Sequence, residues 1–465
     1  MQIASHGAPA APGRTLAAAA LSFFMAISAT TAVNVALPPI GREFGATVSG
    51  LTWVVNAYSL VFASLLLSCG ALGDRIGVRR VFRYGLGLFI AAEATCGLAP
   101  TLTTLVAAQT LAGLGAAAVV PTSLTLISRA FIEPAARARA IAVWAATGGA
   151  ALAAGPLLGG VLIAVFGWRS VFGLNVVAGL AAVLIAGSSP ATSPGRRDHT
   201  LDPAGQVLAI TALGSLTFAL VEGRAAGWTS GPILAAILVA VLATAGFLLV
   251  ESRSPAPMLP LHLFRVPAFS AATWIGLLLN FGCYGQVFVL ALYFQNVRGY
   301  SPLYAGLAFL PMTATVSMSN LAVGRLLPRT GNRRPLVAGA VLCGSGLLAL
   351  GLLDASAPYA ATVAPMLAVG FGGGLVVPPM TAALLAATPP ARLGVASGVL
   401  NSSRQAGGVI GVALFGSLIA GGGFVAGMRV ALLAAASALL LAAVTAMRYI
   451  DRPGDRPPAS AEIPQ

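Results

Sequence analysis

Stretches of about twenty mostly apolar residues recur along the whole of this 465-residue chain, and they limit its fold more than any other feature. A helix that crosses the lipid core of a membrane needs roughly 20 such residues. With 58% hydrophobic residues and a mean hydropathy of +0.91, the chain cannot be a water-soluble domain of this length. The segments are also too long for the strands of a membrane barrel. The sequence therefore predicts an all-α integral membrane protein.

Fourteen transmembrane helices are predicted, as two sets of six with a two-helix insert between them. The first set covers 15–38, 50–72, 82–99, 101–127, 139–166 and 169–188. The insert covers 205–222 and 231–250, and the second set covers 268–294, 303–327, 335–353, 359–383, 394–420 and 424–447. Stretches rich in proline, serine and arginine separate the sets. The predicted divisions are a tail 1–14, a bundle 15–188, a linker 189–204, an insert 205–250, a linker 251–267, a bundle 268–447 and a tail 448–465.

The arginines predict the orientation of these helices. All 26 basic residues are arginine. If successive helices alternate in direction, nearly all arginines outside the membrane fall on one side, and the opposite side holds only Arg42, Arg169, Arg224, Arg298 and Arg429. Cytoplasmic loops attract arginine, so we expect a multi-pass protein of the bacterial inner membrane with both termini in the cytoplasm. The net charge of +14 then reflects topology and does not indicate a nucleic acid partner.

The chain also contains an internal repeat. GALGDRIGVRR at 70–80 and GRLLPRTGNRR at 324–334 match at six positions, and each follows the second helix of its set. Two homologous six-helix bundles are therefore expected. Parallel repeats of this kind place a binding site near the bilayer midplane, where the two bundles meet.

The first copy of this repeat resembles the loop signature of the major facilitator superfamily. Further similarities lie in VNVALP at 33–38, WVVNAY at 53–58, GPLLGG at 155–160 and VASGVLNSSRQAGG at 395–408. Together with the insert, these motifs resemble the fourteen-helix drug:proton antiporter subgroup. Three stretches, LVEGRAAGWTSGP, LYFQNVRGYSP and PPMTAALLAA, are similar to the methylenomycin resistance exporters.

The resemblance implies a cytoplasmic gate at the first repeat, with seven motif residues: Gly70, Gly73, Asp74, Arg75, Gly77, Arg79 and Arg80. A turn this short needs glycine at 73 and 77. We expect Asp74 to accept charge-assisted hydrogen bonds or to face a helix N-terminus of the other half, near Ala396 to Gly398. The alternative is that the arginines only hold the loop in the cytoplasm.

GPLLGG implies an antiporter-type packing motif in the fifth helix, with the residues Ala151, Gly155, Pro156, Gly159 and Gly160. Residues 151, 155 and 159 share one face. Small residues let helices in lipid approach closely, so we expect this face to pack against a helix of the other half and to control leak. Simple packing is the alternative.

The chain departs from the family where proton coupling is expected. Ala29 stands where the family pattern has an aspartate, and Gln109 stands where it has an arginine. Losing both charges together avoids an unpaired buried charge. Glu93 is the one carboxylate left deep in the membrane, and we expect it to carry the proton, hydrogen-bonded to Gln109. The alternative is a protonated residue that is merely tolerated there.

The candidates for the substrate cavity lie on helices that the resemblance places at its centre. They are Asn34, Gln109, Asn280, Tyr284, Gln286, Phe288, Tyr293 and Arg404. Asn280, Tyr284 and Phe288 recur every four residues and line one helix face, which could bind an apolar molecule with hydrogen-bonding groups or could be an ordinary aromatic contact. Arg404 could bind an anionic substrate or pair with backbone carbonyl groups.

The expected function is export of a small, mostly apolar or neutral compound such as an antibiotic, by alternating access and driven by the proton gradient. The expected partners are the lipid bilayer and the small-molecule substrate, with no cofactor, no metal and a monomeric state. Two alternatives stay open: an uncoupled facilitator or metabolite carrier, and a receptor-like protein that no longer transports. No metal-ligand spacing, nucleophile constellation or phosphate-binding loop indicates an enzyme.

Overall fold

The computed structural model describes residues 12–186, 202–254, 257–353, 356–389, 392–421 and 423–450. This part of the chain is helical and contains no β-strand, so the predicted all-α fold is confirmed. The predicted linker 189–204 and the two predicted tails lie largely outside the described residues. Eleven of the described helices are long and apolar enough to cross a membrane.

The first half contains α1 to α6, and α7 and α8 follow as the inserted pair. Their bounds are α1 Pro12–Phe44, α2 Val48–Ile76, α3 Val78–Gly97, α4 Leu102–Ala130, α5 Pro134–Phe166, α6 Ser170–Ala186, α7 Pro203–Ala226 and α8 Gly231–Arg253. The second half contains α9 to α15. Their bounds are α9 Pro267–Leu292, α10 Pro302–Ala308, α11 Leu310–Thr330, α12 Arg333–Leu352, α13 Tyr359–Ala386, α14 Leu393–Ile419 and α15 Phe424–Tyr449.

Several helices differ from the predicted spans at their ends. The first runs from Pro12 to Phe44 instead of 15–38, because hydropathy marks the part of a helix in the lipid core and not the turns beyond it. The predicted span 303–327 is divided at Phe309, between α10 and α11. Pro311 explains the division, since proline lacks an N–H group and its ring collides with the preceding turn. The described residues thus form fifteen α-helices where fourteen were predicted, because α10 and α11 share one predicted span.

The two halves repeat the same helix contacts. In the first half α1 packs on α4, α5 and α6, and in the second half α9 packs on α13, α14 and α15 in the corresponding way. The pairs α2–α4, α3–α4 and α3–α6 correspond to α11–α13, α12–α13 and α12–α15. The sequence repeat at 70–80 and 324–334 therefore marks a repeat of the whole six-helix bundle.

Matched glycines explain how these contacts form. A Cβ atom on Gly113 of α4 would collide with the Tyr58 carbonyl oxygen of α2, and one on Gly370 of α13 would collide with the Met312 carbonyl oxygen of α11. Because lipid gives helices no hydrophobic reason to associate, close backbone approach at small residues supplies the packing energy. A glycine therefore allows the same close helix contact at the equivalent position of both halves.

The inserted pair lies at the junction of the halves. Helix α7 contacts α2 of the first half and α14 of the second, and it also packs along α8. Glu222 near the end of α7 accepts hydrogen bonds from Ser49 Oγ at 2.7 Å and from Trp53 Nε1 at 2.8 Å, both on α2. These bonds fix the end of α7 to α2.

Replacement of Gly113 or Gly370 by valine is expected to lower the free energy of unfolding by about 1–3 kcal/mol, because the added methyl groups meet the backbone of a neighbouring helix. Thermal unfolding of the purified protein in detergent measures the change. Gly87→Val is the matched control, since a Cβ atom there has nothing within 4 Å. Equal effects of all three substitutions would contradict this account of the packing.

Candidate transport site

The bundle has two ends, named here by the helix connections that they carry. The α2–α3 end carries the loop at residues 74–80, and the α1–α2 end carries the connection between Phe44 and Val48. The gate motif lies at the first end. Gly77 closes α2 with a φ of 107°, a conformation that strongly favours glycine, and its N–H donates to the Gly73 carbonyl oxygen at 3.0 Å.

Gly73 and Gly70 place α2 against α4. A Cβ atom on Gly73 would lie 3.0 Å from Thr122 Cγ2, and one on Gly70 would lie 3.6 Å from Pro121 Cβ. Larger side chains at 73 would therefore push the end of α2 away from α4. Arg75 and Arg80 are exposed and Arg79 is partly buried.

Asp74 pairs with Arg129 in the last turn of α4, at 3.6 Å between Oδ1 and Nη2. Both side chains are nearly half exposed, at 49% and 43%. That Asp74 faces the helix N-terminus near Ala396 to Gly398 stays a prediction, and the pair with Arg129 is the contact that the structure shows. Leu67, seven residues earlier on α2, is the residue that contacts Gly398. The ion pair of Asp74 thus lies within the first half, because α4 ends beside α2.

The packing motif of α5 contacts two helices at once. A Cβ atom on Gly155 would overlap the Thr31 side chain, and one on Gly159 would lie 3.0 Å from the Ala32 carbonyl oxygen. Thr31 and Ala32 belong to α1 of the same half, and Ala151 on the same face is fully buried. The expected contact of this face with the other half is therefore wrong: its neighbour is α1.

The adjacent edge of the same motif does meet the other half. A Cβ atom on Gly160 would lie 2.7 Å from the Pro302 carbonyl oxygen, and one on Gly306 of α10 would lie 2.5 Å from the Pro156 carbonyl oxygen. Both contacts lie toward the α1–α2 end. Nearer the other end, α5 exposes Ala142, Val143, Ala145 and Ala146. The contact between α5 and α10 therefore closes one end of the bundle.

Polar contacts reinforce the α1–α2 end. Gln295 lies in the π-helical turn that follows α9, and its Nε2 donates to the Val35 carbonyl oxygen of α1 at 2.9 Å, which joins the two halves. Glu43 at the end of α1 accepts from Arg169 Nη2 and from Trp168 Nε1, each at 2.6 Å. These bonds hold α1 to the connection between α5 and α6.

Glu93 lies inside the first half, with no exposed surface. Its Oε2 accepts a hydrogen bond from Asn175 Nδ2 of α6 at 2.9 Å, and Asn175 Oδ1 accepts from Ser28 Oγ of α1 at 2.8 Å. The Oε1 atom is buried without a partner. The predicted bond between Glu93 and Gln109 is wrong, since Gln109 Oε1 instead faces Cys96 Sγ at 3.9 Å. An amide on α6 lies closer to the carboxyl group than the one on α4.

The structure brings three of the cavity candidates together between α9 and α14. Arg404 Nε donates to Asn280 Oδ1 at 3.4 Å, and the stem of Arg404 packs on Gly276. Tyr284, one turn further along α9, packs beside Gly408. Arg404 therefore has a side-chain partner, Asn280, in addition to any backbone contact.

The remaining candidates are buried in helix contacts. Gln286 donates to Met312 Sδ of α11 at 3.4 Å, Phe288 is fully buried, and Tyr293 lies in the π-helical turn Tyr293–Val297 that ends α9. Asn34 donates to the Thr30 carbonyl oxygen of its own helix at 2.8 Å, and its Oδ1 has no partner. The predicted face of Asn280, Tyr284 and Phe288 is thus polar at one end and packed at the other.

Several contact residues escaped the sequence reasoning. Arg129, Asn175 and Gln295 each make a polar contact with a residue more than fifty positions away. A polar residue within an apolar segment was the available signal for Asn175. Nothing in the sequence pairs it with Glu93, 82 residues earlier.

Comparison with known families agrees with this geometry. The model of the Major Facilitator Superfamily matches residues 19–412. The chain belongs to the major facilitator superfamily. The resemblance to its drug exporters is also confirmed. The chain is 38% identical over 450 residues to the methylenomycin A resistance protein of Streptomyces coelicolor. The aligned region covers 97% of this chain and 94% of that protein.

Other members and solved structures are similar to this chain. The multidrug resistance protein Stp of Mycobacterium tuberculosis is 38% identical over 87% of this chain and 75% of its own length. The tetracenomycin C resistance and export protein of Streptomyces glaucescens is 35% identical over 88% and 76%. A crystal structure of the POT family transporter PepTSo has a TM-score of 0.68 at 14% identity, covering 95% of this chain and 97% of that one, and it supports the fold alone.

The Asp74–Arg129 pair is expected to be a weak contact. Because both side chains are half exposed, Asp74→Asn should lower the free energy of unfolding by less than about 1 kcal/mol at low salt and less still at 0.5 M NaCl. Asp74→Arg should cost more, and adding Arg129→Asp should restore part of the loss. Thermal unfolding at two salt concentrations tests this, with Arg75→Ala as the control. A loss of several kcal/mol in Asp74→Asn would show a structural anchor instead.

Proposed function

We propose that this protein exports a small, mostly apolar or neutral compound, of the antibiotic or drug class, from the bacterial cytoplasm. The similarity to a methylenomycin A resistance protein over 97% of the chain carries this proposal, because it includes both halves and the insert. In the proposed orientation the termini and the α2–α3 end face the cytoplasm, as the arginine distribution predicts. The described conformation is then closed toward the outside.

Alternating access fits the contacts between the halves. The halves meet through α2 with α14 and through α5 with α10 and α11, two contacts that the repeat makes equivalent. Backbone contacts at Gly160 and Gly306 involve no side chains that must rearrange, so the two surfaces can separate and meet again. A half-exposed ion pair at the α2–α3 end can also break at small cost.

The chemistry of the central residues favours an uncharged substrate. Asn280 and Tyr284 offer hydrogen bonds beside apolar helix surface, while the charge of Arg404 is already directed at Asn280. With Ala29 in place of an acidic residue, α1 has no carboxylate within its apolar part to attract a cation, since Glu43 lies at the helix end and is bonded to Trp168 and Arg169. A neutral molecule with a few polar groups suits such a lining better than a dicationic one.

Coupling to protons is assigned in this proposal to Glu93. A carboxyl group without exposed surface and with a single donor favours its neutral form, since an unpaired buried charge is costly. Asn175 and Ser28 connect the Glu93 carboxyl group to α1, the helix that also contacts α5 and α9. Loss of the proton would add a charge to this network and so favour a different packing of α1. The specific rival is an uncoupled facilitator, which the absence of charge at residues 29 and 109 favours.

The experiment begins with resistance. Expression in a susceptible host is tested against methylenomycin A, tetracenomycin C and puromycin, and a compound to which resistance rises is then used with purified protein in proteoliposomes. An imposed pH gradient should drive its accumulation against its own gradient. A rise in resistance to none of the compounds, with binding but no movement in vesicles, would contradict export.

Glu93→Gln should abolish accumulation driven by the pH gradient while exchange at equal concentrations continues, because only the coupling group is lost. Glu222→Gln is the matched control, since this carboxylate also accepts bonds from side chains but lies at a helix end. Unfolding temperatures of both variants check the fold. Unchanged gradient-driven accumulation in Glu93→Gln would remove Glu93 as the proton carrier, and absence of gradient-driven accumulation in the unaltered protein would favour the facilitator.

A further inference from the structure

A cavity lies beside the contact of the two halves, under the inserted helices. Its volume is about 360 Å³, and its walls come from α2, α7, α8, α9, α14 and the segment at residues 258–264. It is called here the insert cavity. A volume near the lower end of the range for small-molecule sites suits a compact ligand and excludes a whole diacyl lipid.

The insert cavity is separate from the group around Arg404. Ser402 lines the cavity, while Arg404 reaches Asn280 on α9. Ser402 and Arg404 are two residues apart on α14, and each residue of a helix turns by about 100°. Their side chains therefore point to nearly opposite sides of the helix. From the segment at residues 258–264, the lining of the cavity reaches Ser402 and Ser64, which lie some 14–18 Å along the helices from the α2–α3 end, counting from Leu393 to Ser402 and from Ser64 to Ile76 at 1.5 Å per residue. This is a depth inside the lipid core.

The lining is apolar and carries no charged residue. Four of its residues have hydroxyl groups, and two of these are already bonded. Thr273 Oγ1 donates to the Phe269 carbonyl oxygen at 2.9 Å, and Ser403 Oγ donates to the Thr273 carbonyl oxygen at 3.1 Å. The other two, Ser64 Oγ on α2 and Ser402 Oγ on α14, are buried without any partner.

Two unpaired hydroxyl groups are unusual in such a place. Buried polar atoms in folded proteins are nearly always hydrogen-bonded, and each one left unpaired costs free energy. Both serines line the cavity, and rotation about χ1 would turn each hydroxyl group toward the open space. A ligand with an acceptor oxygen could then take both donors, one on each lone pair, while its apolar body fills the space beside Leu213, Phe247 and Trp274. A charged ligand would find no counter-charge.

We propose that the insert cavity is a binding site for a small, uncharged, largely apolar molecule with a carbonyl-type acceptor. Its occupant contacts α2 of the first half, α14 and α9 of the second half, and the inserted pair. This assigns a role to α7 and α8: they form one wall of this site. The site does not depend on which compound is exported or on how transport is driven.

Benzophenone is a suitable test molecule, because it has two apolar rings, one carbonyl oxygen and no charge. On illumination its excited carbonyl oxygen takes a hydrogen atom from a nearby C–H group, and the two carbon radicals join. The ketone thereby becomes a tertiary alcohol attached to the protein, with no atom lost. Met258 lines the cavity, and methionine side chains are good partners for this reaction. The full-length protein in lipid nanodiscs is illuminated with increasing benzophenone, and adducts are located by mass spectrometry.

The expected result is saturable labelling at Met258. Met318, which is 63% exposed and outside the cavity, should show only labelling that rises linearly with concentration. The double variant Ser64→Ala with Ser402→Ala should raise the half-saturating concentration about fivefold or more. Thr273→Val is the matched control, because its hydroxyl group already donates to its own helix, and it should leave the half-saturating concentration unchanged. Ala209→Trp, which fills the cavity from α7, should remove the saturable part.

A competition measurement uses the unaltered protein and is independent of how variants fold. Diphenyl sulfoxide, with two rings and an acceptor oxygen, should displace benzophenone from Met258 at lower concentration than diphenylmethane, which lacks the acceptor. Linear labelling of Met258 matching that of Met318 would overturn the site. Equal competition by the two compounds would overturn the role of the hydroxyl groups.

Discussion

Close approach of helix backbones at glycine is the constraint on which this structure depends. On α5, Gly155 and Gly159 meet Thr31 and Ala32 of α1. On α14, Gly407 and Gly411 meet the carbonyl oxygens of Leu277 and Phe281 on α9, so the same spacing of four packs the equivalent helix of the second half. In lipid such contacts replace the hydrophobic effect as the source of packing energy. They make each half a rigid unit built on one central helix.

Small residues also form a contact between the two halves, and this contact differs from those within a half. The edge of α5 formed by Pro156 and Gly160 meets Gly306 without side chains between the backbones. Within a half, matching carbonyl oxygens and bonded side chains lock the helices in register. Between the halves, contacts are fewer and are supplemented by single polar bonds such as that of Gln295 with Val35. Each bundle is thus rigid, while the interface between the bundles can open. Movement of two halves about a bound compound requires both properties.

The sequence was sufficient to predict the helices and the repeat of the six-helix bundle. It predicted fewer of the contacts between helices. Apolar length located fourteen spans, and a repeat of six matching positions indicated two related bundles. The break at Phe309 was missed because hydropathy does not respond to a single proline. The Gly155 face was predicted to pack on the other half and packs on α1 of the same half, because a motif gives a helix face but not its neighbour. For the same reason the pairing of Asp74 with Arg129 was not predicted. Glu93 was recognised as deep and isolated, whereas its partner Asn175 is known only from the packing of α6. The roles of these residues in gating and coupling stay predictions.

Spin-label distances at the two ends of the bundle test the central claim most directly. One pair of labels replaces Val161 and Tyr304 near the α1–α2 end, and a second pair replaces Val143 and Met318 toward the other end; all four side chains are at least 43% exposed. Gly306→Trp serves as a wedge in the α5–α10 contact. If the halves move as rigid units, the wedge should lengthen the first distance and shorten the second. A wedge that lengthens the first distance and leaves the second unchanged, or lengthens both, would contradict alternating access in this protein.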